Sequence, residues 1–568
     1  MAKVVSIGNQ SFKTIRENKY FYIDKTYFIK EWWESADNVT LITRPRRFGK
    51  TLNMSMLDCF FSNRYKGRSD LFEGLSIWEE EKYRNLQGKY PVIFLSFAAV
   101  KAGNLEDAKK QIKMQIEDLY EENCFLLQGD ILSEGEREQY LSVNADMDDV
   151  YAEKSLNRLC NYLSRYYGKN VIILLDEYDT PMQEAYLGGY WDEFMQFIRS
   201  LFNAAFKTNP YLERAVMTGV TRVSKESIFS DLNNLMVVTT TSNQYSTCFG
   251  FTEDEVFGAL EEMGLAEEKG RVKDWYDGFA FGKDKDIYNP WSITNFLKKQ
   301  KYETYWASTS SNGLVGKMVQ TASADIKKMM EQLIKGGTIE ITLDEQIVFD
   351  QLDKDEESIW SLILASGYLK VENLIETDTE GDILDFPKYE LKLTNREVRN
   401  MFYKLFKGWF GVISSNYNDF VKALLKGNLK EMNFYMNEVS LATFSAFDTG
   451  KHPSEKLQPE RFYHGFVLGL LVELRNQYEV SSNGESGLGR YDVMLIPKKS
   501  DNADTPAIVL EFKVHDSDEE KTLKDTVESA LKQIEEKKYD IKLLERGIKK
   551  ENIYHYGFAF EGKKVLIG

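Results

Sequence analysis

Val39-Thr40-Leu41-Ile42-Thr43 runs directly into Arg44-Pro45-Arg46-Arg47-Phe48-Gly49-Lys50-Thr51, and a helical pattern over residues 52–61 follows. Strand, tight basic turn and helix in that order make a phosphate loop. Backbone N–H groups at a helix N-terminus cradle phosphate oxygens, and the helix dipole favours negative charge there. On this reading Arg47, Phe48, Gly49, Lys50 and Thr51 line a nucleotide. Lys50 would reach its β- and γ-phosphates, and the Thr51 hydroxyl would ligate Mg²⁺. The pattern departs from GxxxxGK[ST] at one place, because Arg44 stands where the first glycine is usual. One residue free to take positive φ is thereby lost, which bears on turn geometry more than on phosphate contact.

A Gly-Lys-Thr turn alone is a weak signal, and a second strand strengthens it. Val171-Ile172-Ile173-Leu174-Leu175 ends in Asp176-Glu177, an apolar run closing on two acids. Asp176 would hold Mg²⁺ with its water shell, and Glu177 would polarise the attacking water. The alternative is a buried strand ending in a solvated acidic turn of Asp176, Glu177 and Asp179. A later strand, Arg214-Ala215-Val216-Met217-Thr218, stops just before Gly219. Thr218 there would sense the γ-phosphate, and Arg222 would stabilise transition-state charge as an arginine finger does. A loop cap and a surface arginine are the plain readings of the same two residues.

Outward from these motifs, residues 38–220 alternate strands and helices as a doubly wound α/β domain does. Strands are expected over Val39–Thr43, 92–97, 171–175 and 214–218, and helices over 104–127, 148–167 and 192–206. The boundaries that follow are an N-terminal P-loop domain over 1–300, a helical, winged-helix-like middle region over 301–450, and a third domain over 451–568. In the middle region, a helix over 359–369 ending at Gly367, an acidic turn over 376–382 and a strand over 389–393 suggest the winged helix.

In the third domain a helix over 461–477 precedes strands over 491–496 and Ala507–Val514. A helix over 523–538 and strands over 553–560 and 563–567 close the chain. Along Ala507–Val514, alternation puts Val509, Glu511 and Lys513 on one face and Ile508, Leu510, Phe512 and Val514 on the other. Charge on a strand that is otherwise buried needs a reason, because burying it is expensive. Antiparallel pairing would bring Asp492 beside Glu511. Two carboxylates bind a divalent metal through hard oxygen, and Lys513 would then orient or deprotonate a water attacking a phosphodiester. Asp…Glu-x-Lys on an αβββα topology is a nuclease core, with Gln533 and Tyr539 downstream in support. A structural Glu511–Lys513 pair is the plain alternative. His464 and Glu473 lie nine residues apart on one helix, on roughly opposite faces, so they do not serve one site; His464 reads as structural.

The composition bounds these readings. At 568 residues the chain is long enough for roughly three or four domains. Cys59, Cys124, Cys160 and Cys248 form no CxxC pair, which speaks against zinc ribbons and for a reducing compartment. The first residues lack the apolar core of a signal peptide, and no apolar stretch is long enough to span a bilayer. The expectation is a cytoplasmic protein without membrane contact. A net charge of −17 repels nucleic acid globally, while clusters such as Arg44/Arg46/Arg47 and Lys537/Lys538 could meet phosphates locally.

Several stretches together resemble a bacterial family of predicted AAA-ATPase-like proteins with a C-terminal PD-(D/E)XK nuclease domain. They are Phe21-Tyr22-Ile23-Asp24-Lys25-Thr26, the loop 41–51, Leu175-Asp176-Glu177-Tyr178-Asp179-Thr180-Pro181, Tyr288-Asn289-Pro290-Trp291-Ser292 and Leu393-Thr394-Asn395-Arg396-Glu397-Val398-Arg399. Tyr463-His464-Gly465-Phe466, Gly489-Arg490-Tyr491-Asp492 and Glu511-Phe512-Lys513 complete the set. The resemblance implies an α/β fold with an ASCE-type, AAA-like NTPase domain and a restriction-endonuclease-like domain, and Arg44 is part of the family's RPRRFGKT form. It implies Lys50, Thr51, Asp176 and Glu177 for ATP with Mg²⁺. Asp492, Glu511 and Lys513 would serve a cut using Mg²⁺ or Mn²⁺, with Glu485 and Arg490 of second rank. The expected function is an ATPase coupled to a nuclease acting on DNA or RNA, with room for a homo-oligomer. The alternative is a nucleotide-switched binding protein whose nuclease fold is a silent docking module.

Overall fold

An apolar strand with no polar side must be covered on both faces, and β3 (Val171–Asp176) is buried at every position. The computed structural model describes residues 3–222, 232–307, 315, 318, 324–343, 358–377, 383–409, 417–443, 458–471, 474, 477–498, 505–516, 520–562 and 564–568. The chain divides into two compact units, Met1–Val315 with Thr338–Arg399 and Gly316–Gly337 with Asn400–Gly568.

In the first unit, β1 (Val39–Thr43), β2 (Val92–Ser96), β3, β4 (Leu212–Gly219) and β5 (Leu235–Val238) form one parallel sheet in the order β2-β3-β4-β1-β5. β4 therefore lies between the phosphate-loop strand and the acidic strand. Helix Lys50–Phe61 buries Met54, Leu57, Phe60 and Phe61 with Ile42, Ile172 and Val216 of the sheet. Helices Leu105–Glu122, Asp149–Tyr167 and Trp191–Phe202 bury their own apolar stripes, among them Ile112, Leu159 and Ile198.

In the first unit the C-terminal ends of three helices differ from the sequence expectation, and in the second the helices expected over 461–477 and 523–538 are Gln458–Leu471 and Leu523–Glu536. The helix expected over 104–127 stops at Glu122, and a 3₁₀ turn, Cys124–Leu127, replaces its tail. The one expected over 192–206 closes in a π turn, Asn203–Lys207. The one expected over 359–369 is Ser358–Ala365, and Gly367 turns the chain at φ +84°. A Cβ on Gly367 would stand 2.8 Å from Pro45, so the phosphate loop itself requires a glycine there.

Beyond the parallel sheet, β6 (Phe251–Thr252), β7 (Phe279–Phe281) and β8 (Asp284–Tyr288) pair antiparallel in the order β6-β8-β7. Helices Glu253–Glu262, Lys269–Tyr276 and Pro290–Lys299 build a core around Val256, Leu260, Tyr276 and Phe296. β9 (Ile339–Thr342), β10 (Leu369–Thr377) and β11 (Ile383–Leu393) form an antiparallel sheet in the order β10-β11-β9. Much of the acidic turn expected over 376–382 lies outside the described residues.

The second unit holds a sheet ordered β12-β13-β14-β15-β16: β12 (Tyr478–Ser486), β13 (Gly489–Pro497), β14 (Ala507–Val514), β15 (Ile553–Glu561) and β16 (Lys564–Ile567). Only the β14–β15 pair is parallel. Helix Gln458–Leu471, the three strands β12 to β14 and helix Leu523–Glu536 make the αβββα run. Ile508, Leu510 and Phe512 face one core with Phe466 and Leu470, while Val509 faces another with Ile534 and Tyr539. Among the described residues no helix is long and apolar enough to cross a membrane.

Candidate functional site

Arg44 shows why the missing first glycine costs the phosphate loop nothing. Its backbone is not at positive φ; Arg47 (φ +66°) and Gly49 (φ +81°) make the turn instead. The Arg44 side chain is fully buried, donates to the carbonyls of Thr43 at 2.9 Å and Thr239 at 2.6 Å, and lies 4.5 Å over the Phe281 ring. Burial pulls its pKa down to about 10. It is a structural cation that ties β1 to the segment after β5. Phe48 likewise packs inward, 4.7 Å from Phe279, so the loop offers a ligand its backbone there.

Gly49 caps helix Lys50–Phe61, and the Lys50 ammonium donates to the carbonyls of Arg44 at 3.1 Å and Pro45 at 3.2 Å. The same ammonium stands 3.4 Å from the Glu177 carboxylate. The Thr51 hydroxyl donates to Asp176 Oδ2 at 2.7 Å, and the Thr218 hydroxyl donates to Asp176 Oδ1 at 2.5 Å. The helix after β1 and the ends of β3 and β4 thus bring Thr51, Asp176, Glu177 and Thr218 together at one sheet end. Burial first and the Glu177 charge second raise the Asp176 pKa, while both hydroxyls and Lys50 pull it back. Glu177 holds φ +52°, a conformation non-glycine residues keep only where their surroundings enforce it. Arg222, just past β4, lines a small cavity with Thr43, Thr239, Ser361 and Leu364.

The alternative reading of the sequence put Asp179 in a solvated acidic turn. In the structure it is fully buried and tethers the end of β4: Oδ2 accepts from Val220 N at 3.0 Å, Thr221 N at 2.8 Å and Thr221 Oγ1 at 2.7 Å. Gln183 donates to the same oxygen at 3.2 Å and accepts from Arg46 at 3.3 Å. Gly219 is required beside it, because a Cβ would lie 2.7 Å from Asp179 Oδ1. The acids at 176, 177 and 179 were the only sign of this tether in the sequence.

In the second unit, β13 and β14 pair as Val493↔Leu510, and one further step of that register sets Asp492 across from Glu511. Asp492 Oδ2 accepts from Phe512 N at 2.8 Å. Glu511 is buried and accepts from Gln533, whose amide also donates to the Tyr539 hydroxyl at 3.3 Å. That hydroxyl donates to the Arg490 carbonyl at 2.7 Å, and both carboxylates act on its pKa, which burial chiefly raises. Asp492 and Glu511 therefore face one locus. Burial raises the Asp492 pKa, and the Phe512 N–H, His464 and Lys513 oppose it. His464 Nε2 meets the Asp492 carbonyl at 3.1 Å. Glu485 and Arg490 pair in register across β12 and β13 and are exposed. Glu473 lies outside the described residues.

Each locus suits a divalent cation by its donor set. Thr51 and Asp176 are hard oxygen donors in contact, and Asp492 and Glu511 are two carboxylates on neighbouring strands. Among the described residues no three His, Cys, Asp or Glu side chains gather into a metal cluster, so any cation would keep several waters, as Mg²⁺ does.

The family profile described as "Predicted AAA-ATPase" matches residues 6–229. The profile of the PD-(D/E)XK nuclease superfamily matches residues 458–568. A relative from Azotobacter chroococcum mcd 1, described as "Uncharacterized protein in vnfD 5'region", is 25% identical over 404 residues, spanning 70% of this chain and 68% of its own.

Proposed function

We propose, for a chain that carries an AAA-ATPase-like domain within residues 6–229 and a PD-(D/E)XK nuclease superfamily domain within 458–568, an ATPase coupled to cleavage of nucleic acid. The observation that carries the ATPase half is Asp176 bonded at once to Thr51 and Thr218, with Lys50 beside Glu177. Arg47, Phe48 and Gly49 would give backbone donors to the phosphates of ATP, and Lys50 would exchange its loop carbonyls for phosphate oxygens. Thr51 and Asp176 would hold Mg²⁺, which supplies positive charge to the phosphates. Glu177 accepts the proton of the attacking water. Thr218 reports on Asp176, and Arg222 is the candidate for transition-state charge.

The nuclease half is supported by Asp492 and Glu511 facing one locus with Lys513 on the same strand. Those carboxylates would hold Mg²⁺ or Mn²⁺, which polarises a phosphodiester, and the Lys513 ammonium orients the water. The four cysteines are free, in keeping with a reducing, cytoplasmic setting.

The deciding experiment incubates the purified chain with plasmid, linear DNA and RNA, with and without ATP and Mg²⁺ or Mn²⁺. Metal-dependent cleavage altered by ATP is the expected result. ATP turnover with no cleavage under any condition would leave the nucleotide switch and retire the nuclease.

A further inference from the structure

A loop that turns its N–H groups toward phosphate must turn its carbonyls outward, and each carbonyl then needs a donor behind it. The Arg44 and Pro45 carbonyls take the Lys50 ammonium. The Arg46 carbonyl is met instead from well outside the 6–229 match, by Trp306 Nε1 at 2.9 Å and Asn289 Nδ2 at 3.4 Å. The next residue, Arg47, is the strained one, and its guanidinium lies 4.4 Å over the Trp291 ring. Because the peptide is planar, fixing the Arg46 carbonyl also fixes the direction of the Arg47 N–H.

We propose that Asn289, Trp291 and Trp306 are positioning residues for the phosphate loop, clamping peptide 46–47 so that its N–H faces the nucleotide. The clamp is itself anchored. Trp306 N donates to Glu397 Oε1 at 2.6 Å, and Ser292 Oγ donates to Glu397 Oε2 at 2.7 Å. The indole is wedged between Phe279 and Tyr368, with ring centroids at 5.4 and 5.3 Å. Asn289 has a second task, since its Oδ1 caps helix Pro290–Lys299 by accepting from Trp291 N at 2.9 Å and Ser292 N at 3.2 Å. Positive φ at a non-glycine residue persists only where neighbours over-determine it, and these contacts supply that constraint at Arg47. The inference rests on the nucleotide reading of the loop and extends the site to Asn289, Trp291, Trp306 and their anchor Glu397.

The test removes the two donors while keeping packing and cap. Trp306→Phe keeps a ring between Phe279 and Tyr368, and Asn289→Ser keeps a helix-capping oxygen without adding charge. The full chain carrying both is titrated with ATP by calorimetry, beside its nucleotide-free melting temperature. The expected result is an ATP affinity about tenfold weaker, the scale of one or two lost hydrogen bonds, with melting temperature held near wild type. A fallen melting temperature with unchanged affinity of the folded chain would overturn the proposal and make the contacts structural. Lys50→Ala is the control: wild-type affinity lost in it together with weak binding in the double variant supports the clamp. A wild-type chain that binds no ATP would overturn the nucleotide reading and this inference with it.

Discussion

β3 carries its acids at the strand's end, whereas β14 carries Glu511 within the strand. The end of a parallel strand leaves the apolar cover, so Asp176 and Glu177 meet hydroxyls and an ammonium from neighbouring elements without disturbing any core position. Glu511 has no such exit. Phe512 faces one core, Val509 the other, and the Glu511 carboxylate is held by Gln533 from the covering helix. An acid at a strand end can pass to a ligand with the fold unchanged, while an acid within a strand is part of what holds its helix in place. Substitutions at the two sites should therefore separate function from stability to different degrees.

The largest effect is expected at the interior site. Asp492→Asn, Glu511→Gln and Lys513→Ala should each abolish cleavage, read as plasmid nicking. Lys513→Ala should leave Mn²⁺-dependent stabilisation largely intact, because an ammonium is not a ligand. Asp492→Asn should also raise the melting temperature at neutral pH. Burial lifts that pKa above its ordinary value, so its stability contribution is full in acid and is lost as pH rises through the folded pKa. Unimpaired nicking in all three, with lowered melting temperatures, would make Glu511 and Lys513 a structural pair.

At the strand-end site the effect is large but confined to function. Glu177→Gln should slow ATP hydrolysis by ~10²–10⁴-fold, the usual contribution of a positioned base, while calorimetric ATP affinity and melting temperature hold. Wild-type turnover in that variant would remove Glu177 as the base. Asp179 would then be the next candidate, through Oδ1, because its Oδ2 is committed to three donors at the end of β4.

The same contrast governs what the sequence disclosed. Four of the five parallel-sheet strands were legible because strands covered on both faces are written as apolar runs, the edge strand β5 was not expected, and β1 and β14 keep the bounds expected of them. β12 was not. Tyr478-Glu479-Val480-Ser481-Ser482-Asn483-Gly484-Glu485-Ser486 is polar because it is an edge strand, and Ser, Asn and Gly there read as a loop. The site acids were legible from their places at strand ends or on alternating positions. Trp306 and Asn289 were not, since their partner at Arg46 is more than 240 residues away in the chain and is a backbone carbonyl, which carries no sequence signature. Helix ends at Glu122 and Phe202 escaped because 3₁₀ and π turns continue the helical periodicity closely enough to hide the change.

The smallest expected effect concerns Glu397, a buried acid away from both strand ends. Burial pushes its pKa up to about 7 from an ordinary 4.5, despite hydrogen bonds from Ser292 and from the Trp306 and Ala307 N–H groups. A carboxyl whose folded pKa is raised holds its proton more tightly in the folded chain. Its stability contribution is therefore fully present below about 4.5 and is lost as pH rises through about 7. By linkage the difference is on the order of 3 kcal/mol at most, a shift of a few degrees in melting temperature for a unit of this size. Glu397→Gln cannot ionise, so the fall in melting temperature across that window should become shallower. Its level in acid should drop, because the amide nitrogen now confronts one of the donors that the carboxyl satisfied. A residual slope is expected from Asp277, lifted to about 7 by burial and by Asp286 beside it. Were the slope of the variant to match wild type, Glu397 would be ionised in the folded chain at neutral pH, and the hydrogen bonds around it, not burial, would set its charge.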